Sequence, residues 1–415
     1  MTKGFLSNLE GLGKLLFLLF YYNSLEAQIL PSYHGNHHKK STPLANYALN
    51  FDGSNDHLVT NGGTISSAWS AEVWFKKASN QGAHNFTNNA NSGNSGTWSL
   101  RLGQWNNTNK VGITKYGVKD YYINDSKANL DIGKWEHVSW TYESNLVTVY
   151  VNGESLGTTF SRGPLANGAI LYWNIIGKSP SHSIGGEIDE IRIWNDVRTS
   201  TEIKDNMFKE LNGNENGLVA YYKMTEGSGT TVTDNSSNSN SATMVNMDNS
   251  DWVSSNAPLG NLLNSYQTDV EGFWEHTGTS DSEASDGLSM SVSSALAEAN
   301  FVIFGNNNDD TGTTSSSLSG ISKRSKREWN FDEKGTVTAD IKIGISDATG
   351  HSGSISAASN YKLLFKTCEL CTFSEVETGD SVSGDVITFS SVAIQDGIYS
   401  IACLLYTSPS PRDRG

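Results

Sequence analysis

Two carboxylates stand two residues apart in the segment Gly185-Gly-Glu-Ile-Asp-Glu-Ile-Arg-Ile-Trp-Asn195, at Glu187 and Asp189. At that spacing they share one face of a strand, which is how a nucleophile and an acid are brought to one glycosidic bond. Alternation assigns Asp189, Ile191 and Ile193 to one face and Glu190 and Arg192 to the other, as a half-buried strand requires. Other chemistry-bearing residues are sparse. A Cys368-Glu-Leu-Cys371 pair follows the strand-like run Tyr361 to Lys366 rather than preceding a helix, so it reads as a disulfide closing a small loop, not as a thioredoxin-type motif. His34, His37 and His38 sit beside a Lys-Lys pair in polar sequence that reads as linker.

The elements that would position these groups are almost all strands. Thr199 stands three residues before Glu202, the spacing of a capping box, and predicts one short helix carrying Ile203 and Met207 on one face. Elsewhere Ala71-Glu-Val-Trp-Phe-Lys76 alternates Val73 and Phe75 against Glu72 and Trp74. In the next clear strand Val138, Trp140 and Tyr142 share a face, with Trp135 and His137 on the other. Val147-Thr-Val-Tyr-Val151 leads into Asn152-Gly153, the pair favoured by a type I′ hairpin turn. With Val, Ile, Tyr and Trp runs separated by Gly, Asn and Ser turns, the expected class is all-β: an antiparallel jellyroll sandwich followed by a second, smaller β-rich domain.

Six pieces in order, Leu49-Asn-Phe-Asp-Gly53, Glu72-Val-Trp74, Trp135-Glu-His-Val138, Val149-Tyr-Val-Asn-Gly153, Gly186 to Trp194, and Gly217-Leu-Val-Ala-Tyr-Tyr-Lys223 with Gly227-Ser-Gly229 and Asp234, resemble the LamG-like jellyroll of the concanavalin A-like lectin/glucanase superfamily. That fold hosts lectins, adhesins, carbohydrate-binding modules and hydrolases, so the resemblance implies a fold more sharply than a function. Its laminarinase-type glucanases carry Glu-x-Asp-x-Glu on one strand. Here Glu187 and Asp189 fit, but Ile191 replaces the third carboxylate and Arg192 follows, which argues against hydrolysis at this strand. The resemblance also implies a calcium ion at the sandwich edge, held by Asp189 with Asp52 and Asp56 from the first turn.

Sugar recognition uses exposed rings stacked on sugar faces beside amide and carboxylate hydrogen bonds. Trp105 and Tyr121 lie in or after the Asn-rich stretch 80–110, and Trp173 and His182 in loops before the signature strand. These four are the glycan-binding candidates, while Trp74, Trp140 and Trp194, with Trp135, are expected in the core.

The organisation expected along the chain is a signal peptide at 1–27, around the apolar run Leu15 to Tyr22 that is too short to span a bilayer. A linker at 28–45, the jellyroll at 46–255, a Ser/Asp/Gly-rich linker at 256–287 and a β-rich module at 288–402 follow. That module resembles those trailing jellyrolls in surface proteins of Gram-negative bacteria exported by the type IX pathway. Residues 403–415 resemble a translated sequencing adapter, which makes the chain a fragment. A formal charge of −15 excludes a phosphate-binding surface of clustered Lys and Arg, and with it nucleic acid. The function expected is an exported, non-catalytic binding or adhesion protein at the cell surface, recognising an extracellular glycan or a surface protein with calcium and having no transmembrane segment in its mature form. The alternative is a component of polysaccharide degradation whose active domain is lost.

Overall fold

The computed structural model describes residues 46–404, apart from short stretches at 81, 90–94, 106–107, 162, 166–167, 276–282, 310, 322, 352–354 and 356. The expected signal peptide, the linker at 28–45 with its His cluster, and the adapter-like segment 403–415 apart from its first two residues lie outside the described residues; Cys403 ends the strand Gly397–Cys403.

The first domain is an antiparallel sandwich. Its larger sheet runs in the order Glu154–Gly157, Leu146–Val151, Trp135–Glu143, Trp69–Lys77, Gly185–Trp194, Tyr47–Asp52, Trp252–Ser254, and Leu218–Tyr222 also pairs with Gly185–Trp194. Facing it is a five-stranded sheet in the order Phe160–Ser161, Lys119–Ile123, Gly112–Lys115, Trp98–Gly103, His84–Asn85. Period-two alternation sends Trp69, Ala71, Val73 and Phe75, Val138, Trp140 and Tyr142, and Leu100 and Leu102 into one shared core. The hairpin turn forms as expected, with Asn152 and Gly153 at φ of 52° and 77°. The capped helix spans Ser200–Met207, with Thr199 and Glu202 bonding reciprocally and Ile203 and Met207 buried.

The signature strand departs from simple alternation. Pairing with Trp69–Lys77 matches Asp189 to Trp74 and Arg192 to Glu72, so three steps on one strand face two on the other. This is a β-bulge, centred on Glu190 at φ 53°. Because of that extra residue Ile188, Ile191 and Ile193 all point into the core. Asp189 therefore does not share a face with Ile191 and Ile193. The second residue of the strand is Gly186, φ 140°, where a Cβ would sit 2.2 Å from the Lys76 carbonyl oxygen.

The second domain is another sandwich, with its own core of Phe273, Phe304, Trp329, Phe331, Ile341, Leu363, Phe389 and Tyr399. Residues 256–287 do not act as a plain linker. Thr268–Phe273 pairs with Phe301–Asn306 in a central sheet of this domain, and Glu283–Ser285 pairs with Leu288–Val292 in the other. The Ser/Asp/Gly-rich composition of 277–287 hid the apolar residues Leu262, Tyr266, Val270, Phe273 and Trp274 just before it, all buried.

Of these, Leu262, Val270 and Trp274 cover the outer face of the larger sheet. Trp74, Trp135, Met207, Phe208, Trp274, Phe301 and Ile303 form one cluster. Trp274 stands edge-on to Trp74 at 5.8 Å and donates its indole N–H to the Trp135 carbonyl at 2.9 Å. All four tryptophans expected in the core are buried. Only Trp140 lies in the sandwich interior; Trp74 and Trp135 pack against the second domain, and Trp194 packs with Leu211, Leu218 and Tyr221.

Candidate functional site

The carboxylates of the signature strand are used up by structure. Arg192, fully buried, donates from Nη2 to Glu190 Oε2 at 2.5 Å and to the Lys209 carbonyl at 2.5 Å, and from Nη1 to the Asn206 carbonyl at 2.8 Å. Asn206 is in the last turn of the helix and Lys209 lies two residues past its end, so this arginine ties the C-terminal end of the helix to the strand before it. Tyr221 donates its hydroxyl to Glu190, and Trp194 donates its indole N–H to Glu72 at 2.7 Å. His137 Nε2 lies 3.4 Å from Glu72. Burial alone would raise the Glu72 carboxyl, but the His137 hydrogen bond and the charges of Arg192 and His137 hold it below its usual range. Glu187 pairs with Lys76 at 3.9 Å, which in turn binds Glu298 of the second domain at 2.6 Å.

The expected calcium ligands are not brought together. Asp52 pairs in register with Gly185, four residues from Asp189, or about 13 Å along the strand. Asp189 accepts from Ser255 Oγ at 2.6 Å and from the Glu190 amide at 2.8 Å, and burial together with the Glu190 charge pushes its carboxyl far above the usual range. Asp52 and Asp56 do share a turn, but Asp52 accepts the Ser54 and Asn55 amides and Asp56 accepts the Asp52 amide. Among the described residues no group of three His, Cys, Asp or Glu is placed to hold a metal ion. The Asp52, Asp56 and Asp189 set does not fit calcium.

A different constellation lies on the outer face of the five-stranded sheet. Leu100 and Leu102 point into the core, so Ser99 and Arg101 of the same strand point out. Asn85 pairs in register with Arg101 and shares its face, and Ser99 Oγ donates to Asn85 Oδ1 and to the Thr87 carbonyl. Arg101 is 2% exposed, yet only its Nη2 finds a partner, the Tyr116 hydroxyl at 2.9 Å. Its Nε and Nη1 are buried without a hydrogen bond, as are Asn85 Nδ2 and His182 Nδ1. Burial lowers the affinity of Arg101 for its proton, with the Tyr116 and Asp120 charges working the other way. Burial, then the charge of Arg101, lowers His182, so its ring is neutral near pH 7. At the rim Trp105 is 47% exposed and stands edge-on to His182, with ring centroids 6.4 Å apart.

Of the four expected glycan-binding residues, the structure brings Trp105 and His182 together and places the other two in the core. Tyr121 is 1% exposed with its ring stacked on Trp98 at 6.1 Å. Trp173 is 3% exposed and packs so closely on Gly62 that a Cβ there would come within 2.3 Å of its ring. Both sit next to loop-like sequence, which is why sequence context alone assigned them to the surface. Arg101 and Asn85 went unnoticed. The signal available was parity: a lone charged residue between Leu100 and Leu102 must project away from the core.

The Cys368–Cys371 disulfide is formed, with Cα atoms 5.1 Å apart. Leu370 within that loop is 92% exposed. No helix of the described residues is long and apolar enough to cross a membrane.

The first domain is thus an all-β jellyroll sandwich. Residues 52–204 match the Laminin_G_3 family model of the concanavalin A-like lectin/glucanases superfamily. Residues 276–398 match a domain family of unknown function, DUF8202. Similar solved structures include a putative carbohydrate binding protein from Bacteroides ovatus, 20% identical, TM-score 0.40, with 52% of this chain and 61% of that one covered. A heptameric SAP-like pentraxin from Limulus polyphemus is 18% identical, TM-score 0.30, with 39% and 82% covered. Domain 4 of a GH43 extracellular arabinanase from Geobacillus stearothermophilus, solved with arabinotriose, is 17% identical, TM-score 0.30, with 38% and 75% covered. The comparison with curated proteins gave no match.

Proposed function

We propose that this protein is a non-catalytic carbohydrate-binding protein of the cell exterior, and that its jellyroll binds sugar on the outer face of the five-stranded sheet. One observation carries the reading: buried polar atoms of Asn85, Arg101 and His182 stand without partners beside an exposed indole, Trp105. An unmet buried donor costs on the order of 1–3 kcal/mol, so a fold that keeps several in one place holds them for a ligand that restores the bonds. Sugar hydroxyls supply such acceptors and donors, and a sugar ring's apolar face stacks on an indole. Binding alone, without hydrolysis, agrees with the signature-strand carboxylates, since Glu187, Asp189 and Glu190 are each held by protein partners.

The outer face of the larger sheet is covered by the second domain, and on the Arg101 side Trp105, 47% exposed, is the part of the site that reaches solvent. Affinity electrophoresis of the chain through gels containing neutral and acidic polysaccharides tests the reading. Retardation by at least one polymer is expected, weakened on the order of tenfold in Trp105→Ala, the equivalent of about 1.4 kcal/mol. No retardation by any polymer in a broad panel, or retardation unchanged in Trp105→Ala, would remove it.

A further inference from the structure

Resting on that binding reading, we infer that the ligand is an anionic saccharide, whose carboxylate or sulfate group is seated against the guanidinium of Arg101. The argument starts from the charge. Arg101 is 2% exposed, and no carboxylate forms an ion pair with it among the described residues; Asp120 acts on it only from a distance and is engaged by the Thr114 hydroxyl at 2.8 Å. A guanidinium stays charged in a protein, so a buried one without a counter-ion is among the most expensive groups a fold can keep. The contrast within this chain is sharp. Arg192 is equally buried, but it is met by Glu190 and two carbonyls.

The neighbours of Arg101 fit an anion beside sugar hydroxyls. Nε and Nη1 supply unmet N–H donors, and Asn85 Nδ2 adds another from the paired strand. His182 is neutral near pH 7 and can donate from one ring nitrogen while accepting a hydroxyl at the other. Trp105 provides the stacking surface at the rim. Attraction by bulk charge is not available: a chain of net charge −15 repels polyanions, so retention of one requires a specific site.

Two measurements on the full chain test this. The first needs no ligand. Arg101→Met removes an uncompensated buried charge while keeping the volume of the stem, so the variant is expected to melt at the same temperature as the native protein or several degrees above it. A melting point several degrees lower would show that Arg101 is a structural ion and overturn the inference. The second uses affinity gels of polygalacturonate, dextran sulfate and unmodified dextran. Retardation by polygalacturonate or dextran sulfate but not dextran is expected, with at least a tenfold loss in Arg101→Met and a partial loss in Arg101→Lys, which keeps the charge without the planar fork. The carboxylate and sulfate arms distinguish which anion is preferred. Binding to dextran that persists in Arg101→Met would overturn the anionic assignment and leave the glycan reading standing; retardation by none of a panel of neutral and acidic polymers would overturn both.

Discussion

Replacing Arg192 by alanine separates the structural account of the signature strand from a catalytic one. The substitution removes the counter-ion of Glu190 and takes one donor from each of the Asn206 and Lys209 carbonyls. All of these sit in a region where Arg192, Glu190 and Tyr221 are each 1% exposed or less, so water cannot replace what is lost. Breaking one half of a buried pair costs about 3–5 kcal/mol, and the helix-end carbonyl bonds fall within that figure because they are lost in the same event. For a domain of this size each kcal/mol lowers the melting temperature by about 2–4 °C, so a fall on the order of 10 °C is expected by circular dichroism at pH 7. The double variant Glu190→Leu/Arg192→Met removes both charges together and is expected to recover most of the loss, since apolar groups of similar size replace a buried pair at little cost. A single variant that melts within about 2 °C of the native protein would refute the reasoning. So would a double variant as unstable as the single one.

Three further outcomes follow from the same structure. Burial holds the Glu136 carboxyl up at about 8, so the folded chain keeps a proton that the unfolded chain releases near pH 4.5. That stabilisation is full below about pH 4.5 and is lost as pH rises to about 8, at up to about 1.4 kcal/mol per pH unit; Glu136→Gln is expected to flatten this fall in urea titrations at pH 5, 6.5 and 8, and an equal slope in both proteins would contradict it. Trp274→Ala empties the wedge between Trp74, Phe208 and Trp135 and is expected to cost about 3–5 kcal/mol, with the two domains melting in separate steps. A single unshifted transition would show that the domains do not stabilise one another. Because the donors of Asp52, Asp56 and Asp189 come from the protein, EDTA is expected to leave the melting temperature unchanged, and a drop reversed by added calcium would disprove that account.

The sequence by itself determined the class of fold and most of the strands. Period-two alternation in Ala71 to Lys76 and Val138 to Tyr142, the Asn152-Gly153 turn and the Thr199/Glu202 cap are local, and each formed as its residues dictate. Three features were decided only by tertiary structure. The bulge at Glu190 inserts one residue into the register, and a one-residue slip reverses the faces of everything before it, so Asp189 left the face assigned to it by counting. The second domain covers Trp74 and Trp135 on the far face of the larger sheet, a partner that alternation cannot name because it reports burial and not what does the burying. The Arg101 site joins residues from separate strands and loops, Asn85, Arg101, Tyr116 and His182, which span 97 positions of sequence and meet only in the folded chain. Parity announces that Arg101 faces outward; only the assembled sheet shows that it is buried there with no counter-ion.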